Sequence, residues 1–272
     1  MTDEPITSPR NPRVAAAHAL RDRRRRDETG LTLVDGARET WRAMQAGVAV
    51  ETVFVCRSLV HGPDGLTLLD ALDARARQGR DVRLEVGPQA HAQLAYGDRS
   101  DGIVAVVRPP RKGVDDLRLG ASPLVAVLEG VQKPGNVGAV LRTADAAGVD
   151  AVVLADPGTD LYNPNTIRAS LGCIFSVPVA AAGTDDVQAW LRRLGLAVIV
   201  ARVDAARRYT AVDYRAGTAI VLGSEAAGLS DRWRGPSVVA VSLPMAGLAD
   251  SLSVAAAAAV LFYEARRQRD AA

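Results

Sequence analysis

The 272-residue sequence is poor in the residues that build disulfide scaffolds and metal centres, with two cysteines, Cys56 and Cys173, and three histidines, His18, His61 and His91. The cysteines lie far apart in separate apolar runs, and no secretory leader precedes them, which argues against a structural disulfide. The histidines are scattered without ligand spacing, so no metal is expected. No stretch approaches the roughly 20 uncharged apolar residues that a membrane span needs. Met1 to Arg13 is polar and proline-containing and lacks the apolar core of a signal peptide. A cytoplasmic protein with no membrane partner is the expectation. An excess of one charge is missing too, since 33 basic and 31 acidic side chains leave a net charge of +2. What remains is the make-up of a folded protein, 48% hydrophobic and 24% charged. The length allows one large domain or two modest ones, at about 100–200 residues each.

The charge balance is locally uneven. Arg10, Arg13, Arg21, Arg23, Arg24, Arg25 and Arg26 crowd into one short segment, opposed there by Asp22 alone. Such a cluster is a footprint for nucleic-acid phosphates. A solvated helix end would give the same pattern in a chain this rich in arginine and poor in lysine. Both readings stay open on these residues.

Apolar segments alternate with helical periodicity along the chain, the pattern of an α/β protein. Strands are expected over 31–34, 50–56, 82–86 and 103–107, with helices over 12–26, 37–46 and 66–78. Then comes Arg108-Pro109-Pro110-Arg111-Lys112-Gly113. Two consecutive prolines cannot continue a strand ladder, and the flanking charges keep the segment solvated. The division expected is a domain over 1–108, a linker over 109–120 and a second domain over 121–272. In the second, strands are expected over 124–128, 151–154, 197–201, 219–222 and 238–242, with helices over 136–147 and 251–267. Buried parallel strands with crossover helices fit this order.

Chemistry concentrates in glycine-bearing loops. The first is Glu129-Gly130-Val131-Gln132-Lys133-Pro134-Gly135-Asn136-Val137-Gly138, running from a strand into a helix. Gly135 and Gly138 allow close backbone approach, and Asn136 suits a helix cap. Arg142 follows nearly two helical turns after Asn136. The spacing matches neither the dinucleotide G-x-G-x-x-G nor the P-loop G-x-x-x-x-G-K-[ST], so an oxidoreductase reading loses its fingerprint. The second loop is Leu222-Gly223-Ser224-Glu225-Ala226-Ala227-Gly228-Leu229, and the third runs from Leu243-Pro244-Met245 to Asp250-Ser251-Leu252-Ser253 at a helix start. Free N–H groups at a helix N-terminus hold polar ligand atoms.

In this order and spacing, the loops resemble the signature motifs of the SpoU (TrmH-like) RNA 2′-O-ribose methyltransferases of the SPOUT superfamily. The segment Ile167-Arg168-Ala169-Ser170-Leu171-Gly172-Cys173 is similar to the same family, and the likeness extends from about Leu124 to the last helix. Leu33-Val34-Asp35-Gly36 and Gly102-Ile103-Val104-Ala105-Val106 more loosely resemble the ribosomal-protein-like substrate-binding domain that many of these enzymes carry. One departure stands out: Ser253 occupies a position where the family usually has asparagine, and serine is shorter with fewer polar groups.

The resemblance implies an α/β C-terminal SPOUT domain threaded as a trefoil knot, preceded by a smaller α/β substrate-binding domain. It implies S-adenosylmethionine as cofactor, with Gly223, Leu243, Met245, Leu252, Ser224, Gly228 and Ala201 lining its pocket. Arg142, Asn136, Glu225, Ser251 and Ser253 match catalytic positions. For Arg142 the structural alternative is a salt bridge to Glu225; for Asn136, Glu225 and the serines it is local capping. Arg13, Arg23, Arg24, Arg25, Arg26 and Arg168 are the RNA-contact candidates, with a solvated helix face as the alternative for Arg168. Expected partners are RNA, with 23S rRNA ahead of tRNA, and a second copy of the chain bound through the C-terminal domain. A non-catalytic RNA-binding protein retaining the knot is the rival reading, against which the retained Arg142, Glu225 and glycine loops argue.

Overall fold

The computed structural model describes residues 4–96 and 101–271; Met1 to Asp3 of the polar N-terminal stretch lie outside the described residues. The chain opens with α1 (Pro12–Ala19) and α2 (Arg23–Thr29), followed by β1 (Thr32–Asp35), α3 (Ala37–Gln45), β2 (Ala49–Val55), α4 (Gly62–Arg77), β3 (Arg83–Glu85), α5 (Pro88–Leu94) and β4 (Ile103–Arg108). Beyond the prolines come β5 (Leu124–Glu129), α6 (Pro134–Ala147), β6 (Ala151–Ala155), α7 (Pro164–Ala169), β7 (Val179–Ala182), α8 (Thr184–Arg193), β8 (Ala197–Ala201), β9 (Thr218–Leu222), β10 (Val238–Val241) and α9 (Val254–Asp270).

The helix expected over 12–26 is two helices. Asp22 adopts extended backbone angles and its carboxylate accepts from the Arg24 N–H at 2.8 Å, so it caps a new helix rather than continuing the old one. Helix α6 begins earlier than expected, with Pro134 in its first turn, which displaces Asn136 from the cap position into the helix. The short α5, α7, α8 and β7 went unread, each too short or too mixed in pattern to declare itself.

Two compact units form, one from residues 1–110 with 162–176, the other from 111–161 with 177–272. The first has a mixed four-stranded sheet in the order β1-β4-β2-β3. Val14, Ala17 and Leu20 of the α1 segment pack with Phe54, Val104 and Val106 in its core. Residues 162–176, which the linear division put in the second domain, pack here. The Thr32 hydroxyl donates to the Tyr162 carbonyl at 2.7 Å, and Arg42 donates to the Leu171 carbonyl at 2.9 Å. Arg168 pairs with the buried Asp35 at 3.3 Å.

The second unit is built on a six-stranded sheet in the order β10-β8-β9-β5-β6-β7, parallel at every pairing. Every residue of β5, β6 and β9 is buried, as parallel strands covered on both faces require. Helix α9 turns Val254, Ala258, Leu261, Phe262 and Ala265 inward, and it packs on α6. Alanine on this stripe allows close approach of the two backbones. Both cysteines are buried and neither is joined in a disulfide. Among the described residues no helix is long and apolar enough to cross a membrane.

Burial of Asp35 has a measurable consequence. Its carboxyl is pushed up to about 6 by loss of water, against the stabilising N–H of Tyr96 and the charge of Arg168. The folded chain therefore holds this proton more tightly than the unfolded chain does. That contribution is complete below about pH 4 and is lost as the pH rises through about 6. Relative to the wild type, Asp35→Asn should gain stability across that interval by at most about 3 kcal/mol. Urea midpoints of both proteins from pH 4 to 7.5 check this, and a constant difference would show that Asp35 does not titrate there.

Candidate active site

In a parallel sheet all strands end at the same edge, and ligands bind there. The neighbouring strands β10, β8, β9 and β5 thus bring together the third loop, the end of β8, the second loop and the first loop. A pocket of about 370 Å³ opens among the first three of these. Ala201, Gly223, Ser224, Gly228, Leu243, Met245 and Leu252, the predicted cofactor-lining set, all line it, as do Glu225 and Ser251. Arg202, Val203, Leu222, Ala226, Ala227, Asp250, Val254 and Ala257 line it as well and were not anticipated. Their signal was adjacency to named positions at strand and helix ends.

The second loop closes on itself. Ser224 N–H donates to the Gly228 carbonyl at 3.1 Å and Gly228 N–H returns to the Ser224 carbonyl at 3.0 Å. Gly228 has φ +66°, the left-handed region that favours glycine. A Cβ at Gly223 would overlap the backbone of Gly228 and Leu229, so this turn requires glycine there. The Asn136 amide donates to the Glu225 carboxylate, tying the first turn of α6 to the middle of the second loop. Glu225 is therefore held by Asn136, not by Arg142. Arg142 is exposed on α6, and its side chain has neither hydrogen bond nor ion pair among the described residues. Ser253 caps α9, its hydroxyl accepting from the Ala256 N–H at 3.2 Å, while Ser251 is exposed on the pocket wall. Met245, Leu248 and Leu252 leave apolar surface exposed on the third loop.

The arginine segment belongs to the first unit and divides by role. Arg26 is buried, at 5% exposure, and donates to the Leu20 and Arg21 carbonyls at 2.8 and 2.7 Å. It satisfies the open end of α1 and is removed from the RNA-contact set. Arg21 is likewise structural, stacked over the Tyr96 ring at 5.0 Å. Arg23, Arg24 and Arg25 are exposed and pair with Asp27 and Glu28 one turn on. Such surface pairs contribute about 0–1 kcal/mol and exchange readily for phosphate. The Arg13 guanidinium is exposed and without a partner among the described residues. Arg168 lies on α7, and its tie to Asp35 departs from the solvated face that was its structural alternative.

Residues 123–263 match the SpoU rRNA Methylase family, and residues 11–105 match the MRM3-like substrate binding domain. The chain belongs to the SpoU methylase family. It is 32% identical to a 23S rRNA (uridine(2479)-2′-O)-methyltransferase of Streptomyces viridochromogenes, over 97% of this chain and 92% of that protein. A 23S rRNA (guanosine(2553)-2′-O)-methyltransferase of Bacillus subtilis is 27% identical over 96% of this chain and 98% of its own length. The fold matches the crystal structure of an RNA 2′-O ribose methyltransferase with TM-score 0.86 and 37% identity, covering 98% of this chain and 99% of that one. It also matches the SpoU methyltransferase AviRb of Streptomyces viridochromogenes, solved in complex with AdoMet, with TM-score 0.84, 30% identity and coverage of 96% and 99%.

The division among the arginines is open to direct measurement. Arg26→Ala should lower stability by about 1–3 kcal/mol, because two carbonyls lose a charged donor in a buried place. Arg24→Ala, at the exposed end of the same helix, should stay within about 0.5 kcal/mol of the wild type. Thermal denaturation of both variants checks this, and equal effects would return Arg26 to the surface set.

Proposed function

We propose that the chain is an S-adenosylmethionine-dependent RNA ribose 2′-O-methyltransferase acting on 23S rRNA. The observation that carries this reading is the single pocket wall on which all the candidate cofactor residues meet, beside the Asn136–Glu225 tie. The pocket suits the cofactor's chemistry. Leu222, Leu243, Leu252, Val254 and Ala257 offer apolar surface to an adenosyl group, and the second loop offers backbone where a side chain at Gly223 would not fit. The relatives named for 23S rRNA 2′-O-methylation cover nearly the whole chain, which supports the same substrate class here.

When bound, the cofactor supplies an electrophilic methyl group on a sulfonium. Once the ribose 2′ hydroxyl has given its proton to solvent water, transfer of that methyl from sulfur to oxygen leaves an uncharged thioether. A pocket with little water favours this loss of charge. Arg142 stabilises the negative charge developing on the 2′ oxygen and holds the adjoining phosphate. A guanidinium with a pKa above about 12 is a poor base, so its part is electrostatic. Asn136 and Glu225 hold the loop on which the methyl donor rests, and Ser251 offers a hydroxyl at the pocket wall. Ser253, as the α9 cap, sets the helix start, and its replacement of the usual asparagine costs no cap.

In this reading residues 1–108 bind RNA, 109–120 link, and 121–272, apart from the 162–176 segment that packs in the first unit, form the methyltransferase domain, threaded as a trefoil knot. Arg13, Arg23, Arg24, Arg25 and Arg168 contact phosphates. The chain works as a homodimer joined through its C-terminal domain, in the cytoplasm where ribosomal RNA is found, and needs no metal.

Transfer of labelled methyl from S-adenosylmethionine to 23S rRNA, with tRNA in parallel, tests the proposal. Label should appear in 23S rRNA as a 2′-O-methyl nucleotide. Arg142→Ala should slow transfer by about 10²–10³-fold while leaving cofactor affinity nearly unchanged. Arg142→Lys should also be impaired, since a point charge does not reproduce a bidentate phosphate contact. Label confined to tRNA would overturn the substrate, and cofactor binding without any transfer would make the protein a non-catalytic RNA binder.

A further inference from the structure

The second loop is gripped at two points, and only one of them involves a residue that the reading above uses. Glu129 is the last residue of β5 and is 7% exposed. Its carboxylate accepts from the Ser230 backbone N–H at 2.8 Å and from the Ser230 hydroxyl at 2.7 Å. A third, longer bond comes from the Thr184 hydroxyl at 3.4 Å, at the start of α8. Ser230 directly follows Leu229, where the glycine turn of the second loop ends. Glu129, the end of β5, opens the first loop, and Asn136 lies towards its other end, in the first turn of α6. The two ends of the first loop therefore hold the end and the middle of the second, through Glu129–Ser230 and Asn136–Glu225.

A buried carboxylate is costly unless its oxygens are satisfied, and this one spends its short bonds on a single loop residue. The turn that those bonds fix presents backbone to the pocket, and backbone recognition has no side-chain rotamer with which to correct a misplaced loop. We propose that Glu129 is a positioning residue, acting through Ser230, that holds the second loop in the conformation which binds S-adenosylmethionine. This rests on the methyltransferase reading of the pocket.

The test is cofactor binding by calorimetry at 15 °C, steady-state kinetics on 23S rRNA, and thermal denaturation, all on the full chain. Glu129→Gln keeps the size but removes the charge, so the Ser230 N–H loses its charge-assisted bond and the Ser230 hydroxyl must reverse to accept from the amide. It should weaken S-adenosylmethionine binding and raise its KM by about tenfold or more, with kcat at saturating cofactor kept within about threefold. Ser230→Ala keeps the backbone N–H and should show a smaller loss in the same direction. It carries the test should Glu129→Gln not fold. Thr184→Ala removes only the long bond to α8 and should bind as the wild type does. A lower melting temperature with unchanged cofactor affinity in Glu129→Gln, or in Ser230→Ala alone, would make Glu129 merely structural and overturn the proposal. A wild-type protein that binds no S-adenosylmethionine would instead overturn the reading of the pocket on which it rests.

Discussion

Parallel pairing constrains this molecule more than any single contact does. A strand that runs parallel to its neighbour must be re-entered by a crossover, so every chain segment leaving a strand at its carboxyl end leaves at the same edge. In the second unit the order β10-β8-β9-β5 aligns four such exits side by side, although they are far apart in sequence. The pocket is the gap among three of them. The buried faces of β5, β6 and β9 make that edge rigid, and the loops inherit its position.

Rigidity of the sheet does not extend by itself to loops rich in glycine, which lose the most conformational freedom on ordering. Side-chain ties supply what the backbone lacks. Asn136 reaches Glu225 across the sequence and Glu129 holds Ser230, beside the backbone pair Ser224–Gly228 that closes the turn internally. Arg142, further along α6, is exposed, and its side chain has no partner among the described residues. Structure and chemistry are thus divided between neighbours: some polar groups are consumed in holding the loops, and others are left for a ligand.

The glycine loops were legible in the sequence because their chemistry is local: a strand, a tight turn and a helix start follow one another within a few residues. Strands β5, β6, β8, β9 and β10 were legible for the same reason, as apolar runs, whereas β7, four residues long, was not. Features that depend on a distant partner were not. Nothing near Arg26 announces that its guanidinium turns back onto the carbonyls of Leu20 and Arg21, because that requires the helix to break at Asp22. The same holds for Arg168, whose partner Asp35 is remote in sequence, and for residues 162–176, whose packing with the first unit no linear division foresees. Asn136 suits a cap by residue type, yet Pro134 starts the helix sooner and leaves the amide free for Glu225.

The central claim is that one metal-free cofactor site lies at this sheet edge and is built on the backbone of the second loop. Titration of the chain with S-adenosylmethionine in the presence of a chelator, beside the Gly223→Ala variant, tests it most directly. The account predicts one site per chain for the wild type and loss of binding in the variant, because a Cβ there meets the backbone of Gly228 and Leu229. Binding abolished by the chelator, or equal binding by a folded Gly223→Ala protein, would contradict it.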